Sequence, residues 1–219
     1  MRIGRYSLLL AALVLLIVAV PFFEGGSSAR PLLNAFFTAV LLAGVHAVGD
    51  RRRQLRLAVG MVSAALVLGW WTVVYYNADT VAVAHLVRAF FYFYMVVVVM
   101  RSVLASARIT VDTLIGAVCV YLLLALGWAA FYSILETWNP GSIYVGAPVN
   151  ADGLIGWSEV VYFSFVTLTT LGYGDVMPVS SHARSLAVLE AVVGVLYLAT
   201  LVAWLVGAYL AGTPERRRE

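Results

Sequence analysis

Six long apolar runs, separated by short polar stretches, set the pattern of this chain. They cover about Ser7–Phe23, Leu32–Val48, Leu55–Tyr76, Val81–Met100, Val111–Leu135 and Ala183–Leu210. A bilayer core needs about 20 apolar residues per helix, so each run predicts one membrane crossing. A seventh apolar piece, about Ser158–Thr170, is too short to span and predicts a re-entrant or interfacial helix. Ser158 is placed to cap its N-terminus. Before it, the Gly/Pro/Asn-rich stretch Asn139–Gly156 predicts an exposed loop.

Composition supports the membrane assignment. Of 219 residues 63% are hydrophobic and 11% charged, and the mean hydropathy is +0.96. Soluble domains carry about 25% charged residues. The net charge of +3 says less than where the charges lie. Arg2 and Arg5 precede the first run, Arg51, Arg52, Arg53 and Arg56 fill the second connection, and Arg101 and Arg108 the fourth. Arg216, Arg217 and Arg218 end the chain. The first, third and fifth connections are poor in arginine and hold Glu24, Arg30, Asp79, Glu136, Asp152 and Glu159. Positive loops face the cytoplasm, so both termini and the even connections are expected there, in a multi-pass protein of the cell (inner) membrane. A signal-peptide reading of Arg2, Arg5 and Leu8–Val20 is opposed by the absence of a small-residue cleavage site before Pro21. The chain ends soon after the last run, and no soluble regulatory domain is expected. Trp70, Trp71, Tyr75 and Tyr76 suit an interfacial belt, and Phe90–Tyr94 packing between helices. Cys119 reads as a small buried hydrophobe. Three His and one Cys without close spacing give no transition-metal site. No nucleophile–base constellation or phosphate loop is visible, so enzyme chemistry, cofactors and nucleic acid are not expected.

The distinctive segment follows the short helix: Thr170-Leu171-Gly172-Tyr173-Gly174-Asp175. An ion crossing a membrane must exchange its water for other oxygens, and consecutive backbone carbonyls on one axis can supply them. Such a backbone calls for dihedrals that glycine tolerates, and Gly172 and Gly174 provide two such positions. Thr170 adds a hydroxyl at the inner mouth, while Leu171 and Tyr173 point away from the axis. One strand cannot surround an ion, so four chains are expected. The short helix would aim its C-terminal carbonyls, with their negative partial charge, at the cation.

This segment resembles the signature of the potassium channel family, Thr-Val-Gly-Tyr-Gly-Asp, departing from it only where Leu171 replaces Val. The resemblance covers about Val111–Leu210 and is much weaker over residues 1–100. It implies an all-α membrane protein of six transmembrane helices with a re-entrant pore helix and filter loop, assembled as a homotetramer. Residues 1–108 would form a four-helix unit in the voltage-sensor position, 109–212 the pore domain and 213–219 a short cytoplasmic tail. Potassium would be the permeant ion, bound at Thr170, Leu171, Gly172, Tyr173 and Gly174, with Asp175 at the outer mouth. Non-selective relatives often carry an acid where Tyr173 stands. The family aromatic pair appears as Tyr162-Phe163. Gly194, twenty residues after Gly174, matches a hinge glycine, although close helix packing also wants glycine there. Gly207 is a second hinge candidate, and the Pro-x-Pro bend of voltage-gated members is absent.

A voltage sensor needs several regularly spaced cations on the fourth span. This one carries Arg88 alone, with Arg101 at its end and no acid inside the first three spans. The expectation is a channel that is not voltage-gated. Asn34, His46 and His85 suggest interhelical hydrogen bonds. Glu190 is the one intramembrane acid, on the same helix face as Gly194. Two placements are open: behind the filter, bonded to Thr167 or Thr169, or facing the cavity to concentrate cations. Asp175 and Arg184 either pair or stay apart. A transporter would carry several degenerate filter loops, and this chain has one. A non-selective channel and a non-conducting structural or regulatory subunit are the remaining alternatives.

Overall fold

A computed structural model describes residues 4–23, 29–48, 52–75, 77–106, 109–146 and 155–212. Arg2, Glu24, Arg51, Tyr76, Arg108, Asp152 and the expected tail 213–219 lie outside the described residues. The helices are α1 (Ser7–Ala19), α2 (Ala29–Val48), α3 (Arg52–Val74), α4 (Ala78–Leu104), α5 (Val111–Trp138), α6 (Trp157–Leu168) and α7 (Ser181–Gly212). Two short strands, β1 (Ile143–Val145) and β2 (Val176–Pro178), flank α6 in sequence.

Among the described residues five helices, α2 to α5 and α7, are long and apolar enough to cross a membrane. The first apolar run, Ser7–Phe23, is helical along its whole length but in two pieces: α1 has 13 residues and passes into a 3-10 turn, Val20–Phe23. The arginines of the second connection are also placed differently. Arg52 and Arg53 open α3 instead of preceding it. Helix starts follow local capping chemistry. Asn77 accepts the Asp79 N–H at the head of α4, and Thr110 and Thr113 bond reciprocally at the head of α5.

α5 is the central element. Leu123, Ala125, Leu126, Ala129 and Tyr132 are all buried, and it packs against α1, α4, α6 and α7. Small residues permit the close approaches: a Cβ on Gly127 would stand 2.8 Å from the Phe93 ring of α4. The ends of the chain's first and fifth helices are tied as well, because Tyr6 N–H donates to Asp112 Oδ1 at 3.1 Å. α7, in contrast, leaves Val188, Leu189, Val192, Val195, Leu196 and Val202 exposed on the single chain.

The stretch expected to be only loop contributes one strand, β1, to a two-stranded antiparallel ribbon whose other strand, β2, follows Asp175. β1 pairs with β2 in the register Ile143↔Pro178, Tyr144↔Met177 and Val145↔Val176. The carboxylate of Glu136, at the end of α5, accepts N–H bonds from Gly141 and Ile143 and fixes the turn into β1. The ribbon thereby clamps the chain just after Asp175 to the end of α5.

Candidate functional site

α6 carries the candidate site on its C-terminal end. Its start is capped by Glu159, whose carboxylate accepts the Gly156 N–H at 2.8 Å. Gly156 is therefore the N-cap, and Ser158 lies inside the first turn. Its end is closed by two backbone bonds. Leu171 N–H donates to Val166 O at 2.9 Å and Thr170 N–H to Thr167 O at 3.0 Å. This pair of bonds is the Schellman closure, which needs a left-handed residue just past the helix. Thr170 fills that position with φ 58°, although glycine is the usual occupant.

The left-handed conformation then recurs at every second residue. Gly172 has φ 56° and Gly174 φ 82°, while Leu171 and Tyr173 keep negative φ. The two glycines mark positions of unusual backbone in the sequence itself, whereas Thr170 takes a left-handed φ that its residue type does not announce. Side chains of the segment find little cover in the single chain, with Leu171 54% and Tyr173 68% exposed.

Three contacts hold this segment. Tyr162, on α6, donates its hydroxyl to Asp175 Oδ2 at 2.8 Å. Asp175 O accepts from Gly146 N–H at 2.9 Å, which joins the segment to the end of β1. Tyr121, on α5, donates its hydroxyl to Leu168 O at 3.2 Å. The Asp175–Arg184 pair is not formed. Asp175 is engaged by Tyr162, and Arg184 Nε reaches back along its own chain to Pro178 O at 3.3 Å. Phe163, the other half of the aromatic pair, is buried edge-on against Tyr132, with ring centroids 4.8 Å apart.

Glu190 lies behind the segment, fully buried between α5, α6 and α7. Its partners differ from those expected. Tyr132 of α5 donates its hydroxyl to Oε2 at 2.7 Å, and Ser164 of α6 donates to Oε1 at 2.5 Å. The Ser164 oxygen is also 2.7 Å from Ala125 O. Thr169 instead bonds Phe165 O at 2.7 Å, one turn back on its own helix. The register of α6 explains the difference. Ser164, with Val160, Val161 and Leu168, is on its buried face, whereas Thr169 and Thr170 are exposed.

One turn further along α7, Gly194 abuts the end of α6. A Cβ there would collide with the Leu168 carbonyl oxygen. A Cβ on Gly207 would meet nothing within 4 Å. Among the described residues, no group of three or more His, Cys, Asp or Glu could hold a metal ion. Cys119 is buried and free.

Comparison with known proteins converges on the same part of the chain. A family described as "Ion channel" matches residues 109–210, from α5 through α6 and the following segment into α7. Protein LctB of Bacillus caldotenax is 36% identical over 100 residues, covering 45% of this chain and 73% of that protein. Protein LctB of Geobacillus stearothermophilus is 36% identical over 103 residues, 46% of this chain and 75% of the relative. No solved structure matches the chain. With a pore-type loop between two long apolar helices, and relatives matched over nearly three quarters of their length, this chain belongs to the ion channel family, as a multi-pass membrane protein of the pore-loop cation channel type.

Proposed function

We propose that four copies of this chain form a potassium-selective channel that is not voltage-gated. The observation that carries the reading is the alternation of left-handed φ at Thr170, Gly172 and Gly174. Residues of opposite hand in alternation turn successive peptide units the same way, so their carbonyls line one side of an extended strand. Four such strands around an axis give rings of oxygens at the spacing of consecutive residues. Potassium, stripped of water, passes from ring to ring between Thr170 and Gly174, with Asp175 at the outer mouth.

The exposed apolar faces support assembly. Leu171, Tyr173 and the α7 stripe Val188, Val192 and Val195 are uncovered in one chain, and neighbouring subunits and lipid would cover them. The transmembrane count in this reading is six. α1 spans about 20 Å at 1.5 Å per residue, and its 3-10 continuation adds about 8 Å, close to the thickness of a hydrocarbon core. Both termini would then be cytoplasmic and residues 1–108 would form a peripheral four-helix unit beside the pore domain 109–212. Arg88 is held by Asn34 and Phe37, which argues against a charge that travels with voltage. Gly194 is the proposed bending point of α7.

The test is electrical. Purified protein in planar bilayers under a potassium/sodium gradient should give currents whose reversal follows the potassium equilibrium potential. Reversal that ignores potassium leaves a non-selective cation pore. Absence of current from a verified tetramer leaves a structural subunit. Gly172→Ala, which places a Cβ on a left-handed residue, should abolish selective current while the tetramer persists.

A further inference from the structure

A cavity of about 390 Å³ lies where α2, α3 and α4 meet the end of α5 and the start of α6. Leu33, Phe37, Val81, Ile155 and Trp157 give it apolar walls. Three nitrogens of lining residues are buried without a hydrogen-bond partner: Arg88 Nε, His85 Nδ1 and Trp157 Nε1. Arg88 is only 5% exposed and His85 7%. The guanidinium is fixed from one side. Its Nη2 donates to Asn34 Oδ1 at 2.6 Å, and the group sits 4.2 Å from the centre of the Phe37 ring. His85 stacks on Trp157 with ring centroids 4.8 Å apart.

What this cluster lacks is an anion. No carboxylate among the described residues pairs with Arg88. Glu136 also lines the cavity, but its two oxygens are turned to the Gly141 and Ile143 N–H groups and make no ion pair with Arg88. A buried cation without a counter-charge is costly, and water in the cavity would satisfy its N–H groups without neutralising it. Planar guanidinium geometry suits an oxyanion, and the adjoining apolar walls suit a hydrocarbon. The volume falls in the range of small-molecule sites, which combine apolar walls with a few convergent polar groups.

We propose that this cavity binds the oxyanion head of a small amphiphile. The head lies against Arg88 and the Trp157 indole N–H, and the tail lies along Leu33, Val81 and Ile155. A free carboxylate of fatty-acid type and an anionic phospholipid headgroup share this chemistry. The site does not depend on which ion the pore selects.

The full chain in phosphatidylcholine nanodiscs is titrated with bromodecanoate while tryptophan fluorescence is read, because bromine quenches indoles it touches. Saturable quenching is expected, and Trp157→Phe should remove the saturable part. Arg88→Gln should weaken binding by about tenfold or more. Bromodecanol, which keeps the tail and lacks the charge, and bromoacetate, which keeps the charge and lacks the tail, should both bind at least about tenfold more weakly. Discs containing phosphatidylglycerol separate the sources: a weakened apparent affinity assigns the site to a phospholipid headgroup, and an unchanged one to a free carboxylate. Equal binding of bromodecanol and bromodecanoate, or unchanged binding in folded Arg88→Gln, overturns the proposal. Should Arg88→Gln not fold, Val81→Phe fills the cavity without changing its charge. Saturable quenching that survives Val81→Phe at wild-type affinity also overturns it.

Discussion

Two buried ionisable side chains, Glu190 and Arg88, are handled in opposite ways by this fold. Glu190 sits where three helices converge, and each carboxylate oxygen has a donor from a different neighbour, Tyr132 of α5 and Ser164 of α6. Arg88 is nearly as deeply buried, yet it has one hydrogen bond, one aromatic face and an open side on a cavity. Burial alone does not assign a role to a charged residue in a membrane protein. A network closed by the chain itself locks helices together, whereas one left open on one side has room for something else. The surroundings of Glu190 are of the first kind and those of Arg88 of the second. Substitutions on the Glu190 side should therefore cost stability, and those around Arg88 should cost little.

The largest loss is expected at Gly194, on the closed side. Gly194→Ala drives a Cβ into the Leu168 carbonyl oxygen, a backbone atom at the end of α6 that cannot swing aside. Destabilisation of about 3 kcal/mol or more is expected, at the upper end of what overpacking costs. The midpoint of unfolding in a sodium dodecyl sulfate titration, followed by circular dichroism, measures it. A wild-type midpoint would show that α6 and α7 can part freely at this contact, and the two ends of the molecule would then be equally loose.

Next in size is Glu190→Ala. It leaves the Tyr132 hydroxyl buried without an acceptor and opens a void among three helices, for a loss of about 2–3 kcal/mol in the same titration. Glu190→Gln sharpens the point. An amide oxygen can accept from Tyr132, and an amide N–H can face the Ser164 oxygen, which keeps Ala125 O as its own acceptor. The glutamine variant should stay within about 1 kcal/mol of wild type, because the hydrogen bonds are retained. Equal losses for Ala and Gln would mean that the charge, and not the hydrogen-bonded closure, holds the three helices.

Much of this closed end was legible in the chain as written, because backbone demands leave residue signatures. Gly172 and Gly174 announce the unusual dihedrals, and an acid within an apolar run announces a buried constellation. The partners of Glu190 were not legible. Ser164 and Tyr132 come from helices 26 and 58 residues away, and apolar periodicity does not fix how one membrane helix is rotated against another. Thr170 was hidden for a different reason: threonine rarely accepts a left-handed φ, and only the closing bonds of α6 require it. The β1–β2 ribbon has three residues per strand, too few for alternation to emerge from a glycine- and proline-rich stretch. The first apolar run was legible, but its division was not: the α-helix gives way to a 3-10 turn at Val20, beside Pro21.

On the open side the expected effects shrink. Gly69 of α3 makes room for the Arg88–Asn34 pair; a Cβ there would stand 2.7 Å from Arg88 Nη2 and 2.9 Å from Asn34 Oδ1. The obstruction is the far end of a flexible side chain, so it can shift toward the cavity. Gly69→Ala should cost about 1 kcal/mol, well below Gly194→Ala, where the approach is closer and the atom in the way is backbone. A loss as large as that at Gly194 would mean that Arg88 is locked as firmly as Glu190.

The smallest change is expected for Arg88→Gln. The substitution gives up a charged hydrogen bond to Asn34 and the contact with Phe37, each of which stabilises. It also removes a buried positive charge that no carboxylate of the described residues balances, which is a gain of the opposite sign. The two contributions nearly cancel, and the unfolding midpoint should move by less than about 1 kcal/mol in either direction. Adding decanoate before the titration sharpens the contrast. An amphiphile bound at Arg88 stabilises only the folded protein, so wild type should gain and Arg88→Gln should not. If both gain equally, the ligand acts on the bilayer and not at Arg88. If Arg88→Gln alone unfolds the protein, the guanidinium is as structural as the carboxylate of Glu190, and the difference between the two ends of the molecule disappears.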